Sequence, residues 1–287
     1  MALSKNNAKL LTTETKTKAQ WAEASPRWLL SVLPSVELEA GTYRVNTVTS
    51  TPILMSEHEP GTELKADFTD YHHDPLELEL SAIQAVVKIH TQVLDVYNAP
   101  FNQLGEQLRL AIEKVKEEEE YRFINSDTYG LKAQCDDTMK FEAEAPTPDS
   151  MDDLLHRVWK KPAYFLMSPG AIARFGKECT NEGVCLGTVG MMGSPFMTWR
   201  GVPIIPSDKI IPNENGQSDV YLMRVGEENQ GVVGLRQSAE DGIEGELGIS
   251  VRFKYTDKES VSHYLVTKYS SLAVLVPDAL SMMTVNV

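Results

Sequence analysis

Residues 102–125 read NQLGEQLRLAIEKVKEEEEYRFIN, and this stretch decides how the chain is organised. Apolar side chains recur at Leu104, Leu108, Ala111, Ile112 and Val115, the spacing of one helical face. The opposite face offers the i,i+4 pairs Arg109–Glu113, Lys114–Glu118 and Lys116–Glu120. At 1.5 Å per residue such a helix is about 35 Å long, enough to form the backbone of a domain. The run Glu117 to Glu120 reads as the solvated end of that helix.

Upstream, Ser81 to Tyr97 places Ile83, Val86, Val87, Leu94 and Tyr97 close to the helical period, so a first helix is predicted there, ended by Asn98 to Pro100. Before it, residues 36–56 alternate in the strand manner around Val36, Leu38, Tyr43 and Val45, with a turn signal at Ala40-Gly41. Residues 57–75 are acidic and contain the turn dipeptide Pro60-Gly61. This region has too little apolar content for its own core and predicts a long two-stranded excursion lying on something else. Residues 1–20 show no periodicity and read as an extended arm. Trp28 to Leu33 then makes one or two helical turns, with Pro26 suited to a first-turn position and Pro34 as the stop.

Downstream, residues 126–148 are polar and predict a loop with a hairpin. Thr147-Pro148-Asp149-Ser150 opens a helix with Asp152 and Asp153 in its first turn, Lys160 and Lys161 in its last, and Pro162 closing it. Tyr164 to Met167 is a short buried strand, and Ser168-Pro169 caps a helix through Phe175 and Cys179 to near Gly183. Strands are expected at Phe196–Trp199, Val202–Ile205, Val220–Val225, Val232–Arg236, Leu247–Tyr255 and His263–Val276. Helices in the middle with strands mostly after them make the fold class α+β.

With 287 residues, 42% hydrophobic and 24% charged, the chain has the composition of a globular protein and not of a disordered or fibrous one. Its net charge of −14 argues against nucleic acid as a partner. The charge is uneven: residues 1–34 carry five basic and two acidic side chains, net +3, and residues 35–80 carry two basic and ten acidic, net −8. A basic arm thus precedes an acidic segment, which reads either as a frayed tail beside a solvated loop or as an arm that docks on an acidic surface, its own or a neighbour's. Cys135, Cys179 and Cys185 fit reduced thiols. A polar N-terminus and apolar runs as short as Leu272 to Val276 point to a cytoplasmic protein with no membrane partner.

No catalytic, cofactor or metal residues are expected. The run Gly187, Thr188, Val189, Gly190, Met191, Met192, Gly193 lacks the Gly-Lys-Ser/Thr ending of a phosphate loop and precedes a strand. His72 and His73 beside Asp70 and Asp74 point to opposite sides of an extended chain and cannot readily share an ion. His58 between Glu57 and Glu59 reads the same way, His90 as a core-edge residue, and His156 and His263 have no partner at diagnostic spacing.

Several blocks, in order, carry a resemblance. They include Pro26-Arg27-Trp28-Leu29, Ala40-Gly41-Thr42-Tyr43-Arg44-Val45-Asn46, Gly61-Thr62-Glu63-Leu64, Val86-Val87-Lys88-Ile89-His90-Thr91 and Glu106-Gln107-Leu108-Arg109-Leu110. Trp159-Lys160-Lys161-Pro162-Ala163, the stretch from Gly193 to Pro203, the stretch from Leu222 to Leu235, and Val276-Pro277-Asp278-Ala279-Leu280 follow. Together they resemble family 2 encapsulin shell proteins. The chain has no room for the cyclic-nucleotide-binding domain inserted in one branch, and so resembles the other, type 2A.

The resemblance implies the tailed-phage major-capsid fold of the Hong Kong 97 type. Its expected parts are an N-terminal arm (1–34), an extended loop (35–80), a peripheral domain with the spine helix (81–147), an apical domain (148–222) and C-terminal strands returning to the peripheral domain (223–287). The implied function is non-enzymatic: an icosahedral homo-oligomeric shell, of the smallest triangulation class, enclosing a cargo enzyme. That cargo is typically a cysteine desulfurase of sulfur metabolism. Residues Gly187 to Gly193 become candidates for the rim of an axial pore, with an ordinary flexible turn as the other reading. A prophage major capsid protein and an enzyme with scattered catalytic groups remain as alternatives.

Overall fold

A computed structural model describes residues 25–39, 41–46, 75–89, 103–238, 248–259 and 261–287. Residues 1–24, most of the acidic excursion with His58, His72 and His73, and His90 with the rest of the helix expected to Tyr97 lie outside the described residues.

In chain order the elements are α1 (Trp28–Val32), β1 (Ser35–Leu38), β2 (Thr42–Val45), β3 (Leu76–Glu79), β4 (Ser81–Ile89), α2 (Gln103–Asn125), α3 (Leu131–Gln134), β5 (Lys140–Ala143), α4 (Pro148–Arg157), β6 (Tyr164–Met167) and α5 (Pro169–Asn181). Then come β7 (Gly187–Met191), β8 (Ser194–Trp199), β9 (Val202–Pro206), β10 (Gln217–Met223), β11 (Val232–Gln237), β12 (Ile249–Thr256), β13 (Ser262–Val274) and β14 (Leu280–Asn286). Two sheets organise them. One runs β1-β11-β13-β12, with β4 also paired to β13; the other runs β5-β14-β10-β6-β9-β8-β7, and β2 and β3 form a separate ribbon.

The long helix forms where its period predicts. Its apolar stripe of Leu108, Ala111, Ile112 and buried Val115 packs on Ile83, Val87 and Ile89 of β4 and on Val266 of β13. The helix expected over 81–97 is instead a strand through Ile89, antiparallel to β13 from Ser81↔Ser270 to Ile89↔Ser262. The same letters carry both periods: Ile83, Ala85, Val87 and Ile89 are two apart, and β-branched side chains favour the pleated form. Ile83, Val87 and Ile89 are accordingly buried, while Val86 between them is 51% exposed.

The seven-stranded sheet carries α4 and α5. Thr147 and Ser150 make a capping box at the start of α4, and the Ser168 hydroxyl caps α5. Met151, Leu154, Phe175 and Cys179 from the helices pack on Phe165, Met167, Ile204, Val220 and Leu222 of the strands. α4 stops at Arg157, so Lys160 and Lys161 lie beyond it and not in its last turn, and Asp149 is the acidic residue of its first turn. Lys161 turns left-handed, at φ 63°, before Pro162.

Two strands depart from expectation because their partners are distant in sequence. Residues 131–143 form α3, a 3-10 turn and β5, and β5 pairs in parallel with β14 and makes no local hairpin. β14 itself, Met-rich and nearly continuously buried, has no alternation to announce it. It lies between β5 and β10. The chain after Met223 is therefore divided: β11, β12 and β13 join the sheet that the long helix covers, and β14 returns to the sheet built from 164–223.

Candidate functional site

Four consecutive carboxylates near the end of α2 lead to different elements. Glu118 faces outward and accepts from Arg122 Nε at 2.7 Å, an ordinary i,i+4 pair. Glu117 accepts from the backbone N of Ser25 at 3.1 Å, from its hydroxyl at 3.2 Å and from Arg27 Nη1 at 3.0 Å. Lys209, on the loop after β9, closes on it as well. The same Arg27 nitrogen lies 2.6 Å from Glu113. Glu119 and Glu120 are buried, at 0% and 1% exposure. The reading of this run as a solvated helix end is corrected: a helix turns 100° per residue, so four successive side chains cover all faces, and two of them meet packed neighbours.

Glu119 receives Lys268 Nζ of β13 at 2.6 Å, with Arg236 Nε of β11 at 3.7 Å. Burial draws the Lys268 ammonium below its usual range, against the pull of Glu119. Glu120 turns to the other flank, where its oxygens meet the Leu30 amide at 3.5 Å and the Ser207 hydroxyl at 3.4 Å. Burial pushes its carboxyl up to about 7. The acidic run thus clamps the entry segment 25–33, the strands behind the helix and the loop after β9 to one another. Trp28 completes the entry contact edge-on against Phe196 of β8, ring centroids 5.2 Å apart.

A second hub joins the two sheets where the chain crosses between them. Arg224, after β10, donates to Asp278 at 2.8 Å, to the Gln230 carbonyl at 3.4 Å and to the Lys160 carbonyl at 3.3 Å. Lys160 also bonds Asp278, at 2.7 Å, and with Arg224 holds that carboxyl below the usual range. A Cβ at Gly231 would stand 2.5 Å from the Arg224 carbonyl oxygen, so only glycine fits the crossing. These residues come from the blocks 159–163, 222–235 and 276–280 that carry the resemblance.

The pore candidates Gly187 to Met191 form strand β7, and with Met192 and Gly193 they build a hairpin with β8, from Gly187↔Thr198 to Met191↔Ser194. The expected flexible turn is confined to Met192 and Gly193, both left-handed at φ 50° and 76°, the two-residue hairpin form. Thr188, Val189, Gly190 and Met192 are exposed at the sheet edge, whereas Met191 packs on the core cluster containing Leu29 and Leu33.

The stem of the acidic excursion is the β2–β3 ribbon, Thr42↔Glu79 to Val45↔Leu76. Tyr43 and Leu78 pack on Leu38, Val233, Leu235 and Ala273 of the five-stranded sheet. The Tyr43 hydroxyl donates to Glu227 at 2.9 Å, and burial with this carboxylate raises the phenol to about 12.

His263 does have a partner six residues away: Nε2 lies 3.0 Å from Asp257 Oδ2, and the ring stacks on Tyr255. Asp257 also accepts two backbone amides, so this group shapes a turn. His156 sits in the last turn of α4. Burial raises the thiols of Cys135, to about 11, and Cys179, and Cys185 is exposed. Among the described residues no three His, Cys, Asp or Glu side chains stand together to hold a metal ion, and no helix is long and apolar enough to cross a membrane. Lys268 carries no local signal in the sequence, and Arg224 and Asp278 stand there only within the blocks of the resemblance, with nothing to announce that they pair.

A family model for type 2A encapsulin shell proteins of the SrpI-like kind matches residues 41–287. A type 2A encapsulin shell protein SrpI from Synechococcus elongatus is 47% identical over 99% of this chain and 93% of its own length. A type 2A encapsulin shell protein from Mycolicibacterium paratuberculosis is 45% identical over 98% of this chain and 93% of its own. The cryo-EM structure of the holo-SrpI encapsulin complex from Synechococcus elongatus superposes with a TM-score of 0.83 at 46% identity, covering 99% of this chain and 95% of that one. The capsid of a native GTA particle matches with a TM-score of 0.66 at 13% identity, covering 96% and 94%, a likeness of fold alone.

Proposed function

This chain belongs to the SrpI-like type 2A encapsulin shell proteins, and we propose that its copies close into an icosahedral shell around a cargo enzyme in the cytoplasm. It is a structural protein and not an enzyme, as its relatives are shell proteins, and its fold is of the phage-capsid type. The observation that carries the reading is the match to the holo-SrpI encapsulin chain across nearly its whole length. Closed symmetry then follows from one repeated set of subunit contacts. The resemblance favours the smallest triangulation class.

Within that reading, residues 1–34 are the N-terminal arm and 35–80 the extended loop, whose stem is the β2–β3 ribbon. The five-stranded sheet with α2 is the peripheral domain. The seven-stranded sheet with α4 and α5 is the apical domain, to which β5 and β14 are added. The β7–β8 hairpin lines an axial opening, with Thr188, Val189 and Met192 as its exposed side chains. The basic arm lies across the acidic extended loop of another copy. The cargo is a cysteine desulfurase of sulfur metabolism, a reading supported by the resemblance to the type 2A branch.

Size-exclusion chromatography with negative-stain microscopy of the purified protein should show hollow megadalton particles; a clean monomer or dimer at neutral pH overturns the shell. Affinity capture of the shell from its host should bring down desulfurase activity, and a shell carrying none removes the cargo assignment alone.

A further inference from the structure

Glu120 stands apart from its neighbours in the acidic run. Glu117, Glu118 and Glu119 each face a cation, whereas the oxygens of Glu120 meet two neutral donors, Leu30 N at 3.5 Å and Ser207 Oγ at 3.4 Å. Both bonds are long for a carboxylate at 1% exposure. The charged groups around it come from each element packed there. Glu117 lies on its own helix, and Asp208 and Lys209 lie on the loop after β9. The entry segment contributes Arg27, already engaged by Glu113 and Glu117, and toward the sheet stand Glu119, Lys268 and Arg236. Lys209 is shared with Glu117 and Asp208. Ionising Glu120 therefore adds another anion to a site whose nearest cation is already taken.

We propose that Glu120 is a proton-operated latch for the entry segment Ser25–Leu33, closed when the carboxyl is protonated and loosened when it is ionised. Protonated, the group gains an O–H donor for Ser207 Oγ while its other oxygen keeps the Leu30 amide. Ionised, it needs water, and lifting α1 is the route by which water arrives. On the Glu119 flank a cavity of about 320 Å³ already undercuts the same entry segment, between Pro26, Arg27, Leu30 and Ser31 on one side and Lys116, Glu119, Arg236 and Lys268 on the other, so α1 is not packed along its whole underside. Leu29, Leu33 and the Trp28–Phe196 contact set the baseline strength of docking, and the proton sets the bias.

The sign follows from burial. Burial raises the carboxyl in the docked state, the Leu30 amide and Lys209 oppose it, and Glu117 and Asp208 add to it, for a value of about 7 against 4.5 when open. The docked state thus holds its proton more tightly. Docking is strongest below pH 4.5, weakens as pH rises toward about 7, and is level above it. The latch works within one chain, so it stands or falls apart from shell closure.

Hydrogen exchange of the full-length protein, corrected for intrinsic rates, tests it at the amides of residues 29–33 between pH 5 and 8.5. Protection in the wild type should fall on the order of a hundredfold up to about pH 7 and then hold level. Glu120→Gln should show a flat profile. Lys209→Gln, which removes a cation favouring ionisation, should move the midpoint upward and serves as the second test if Glu120→Gln does not fold. A wild-type profile that is flat, one unchanged by Glu120→Gln, or a midpoint unmoved in Lys209→Gln overturns the latch. Microscopy of the same samples reads assembly separately.

Discussion

The two sheets bury themselves to different degrees. In the seven-stranded sheet the central strands β6, β10 and β14 are buried along nearly their whole length, under α4 and α5 and the shared core. Large exposed apolar side chains of that region, Trp159, Val184, Met192 and Ile211, sit in turns and connections, with Val189 on the edge strand. Among the described residues the five-stranded sheet has α2 on one face and the β2–β3 ribbon over only one end of the other. On the other, Val86 lies opposite Leu265, with Tyr269 further along β13, and Val86 and Tyr269 are 51% and 37% exposed. Among the described residues a depression of about 490 Å³ marks that face, lined by Gln84, Leu265, Thr267 and Tyr269. One sheet is a finished core, and the other is a platform with an open side, as expected of a subunit whose surfaces are completed by other copies.

The contrast can be broken first where it is strongest. Phe165→Ala empties the middle of the seven-stranded core and should cost about 4 kcal/mol, read as a lowered thermal midpoint. Lys268→Met leaves buried Glu119 with only Arg236, at 3.7 Å, and should cost about 3 kcal/mol, with most of the loss recovered in Lys268→Met/Glu119→Leu. If the double variant is no better than the single, the pair does not act as a unit. Arg224→Met cuts the hub between the sheets and should cost about 2 kcal/mol, by the loss of charged hydrogen bonds to Asp278 and two carbonyls. The sharpest test has the smallest stability effect. Val86→Ser/Tyr269→Ser should shift subunit stability by less than about 0.5 kcal/mol while lowering the fraction of protein in particles. Equal particle yield would mean that the open face stays bare in the assembly.

The legible parts of the fold were those whose signal is local. α2 shows an apolar stripe and α5 a stripe together with its Ser168 cap; β8, β9 and β11 lie within two residues of their expected spans, and β10 starts three residues early. Ser81 to Ile89 failed because a nine-residue apolar segment satisfies two periods at once, and only its pairing with β13 decides. β5 and β14 failed because each is stabilised by the other across some 140 residues of chain. The acidic run failed for a related reason: its letters state charge and spacing, but Lys268, Ser207 and Leu30 come from other elements. The hairpin 187–193 shows its Gly-rich composition in the sequence but not its strand pairing, which depends on Ser194 to Thr198.

The placement of β14 has a consequence for how the protein is made. Translation delivers β5 and then β6 to β10 well before Leu280 to Asn286, yet β14 is the strand that joins β5 to β10. Until it leaves the ribosome, the buried edge of β10 stands unpaired and Met283 and Val285 are missing from the core. A nascent chain therefore lacks a completed seven-stranded sheet until near the end of synthesis. On a polysome, where many unfinished copies sit side by side, that unpaired edge is a template for strand pairing between chains until β14 fills it.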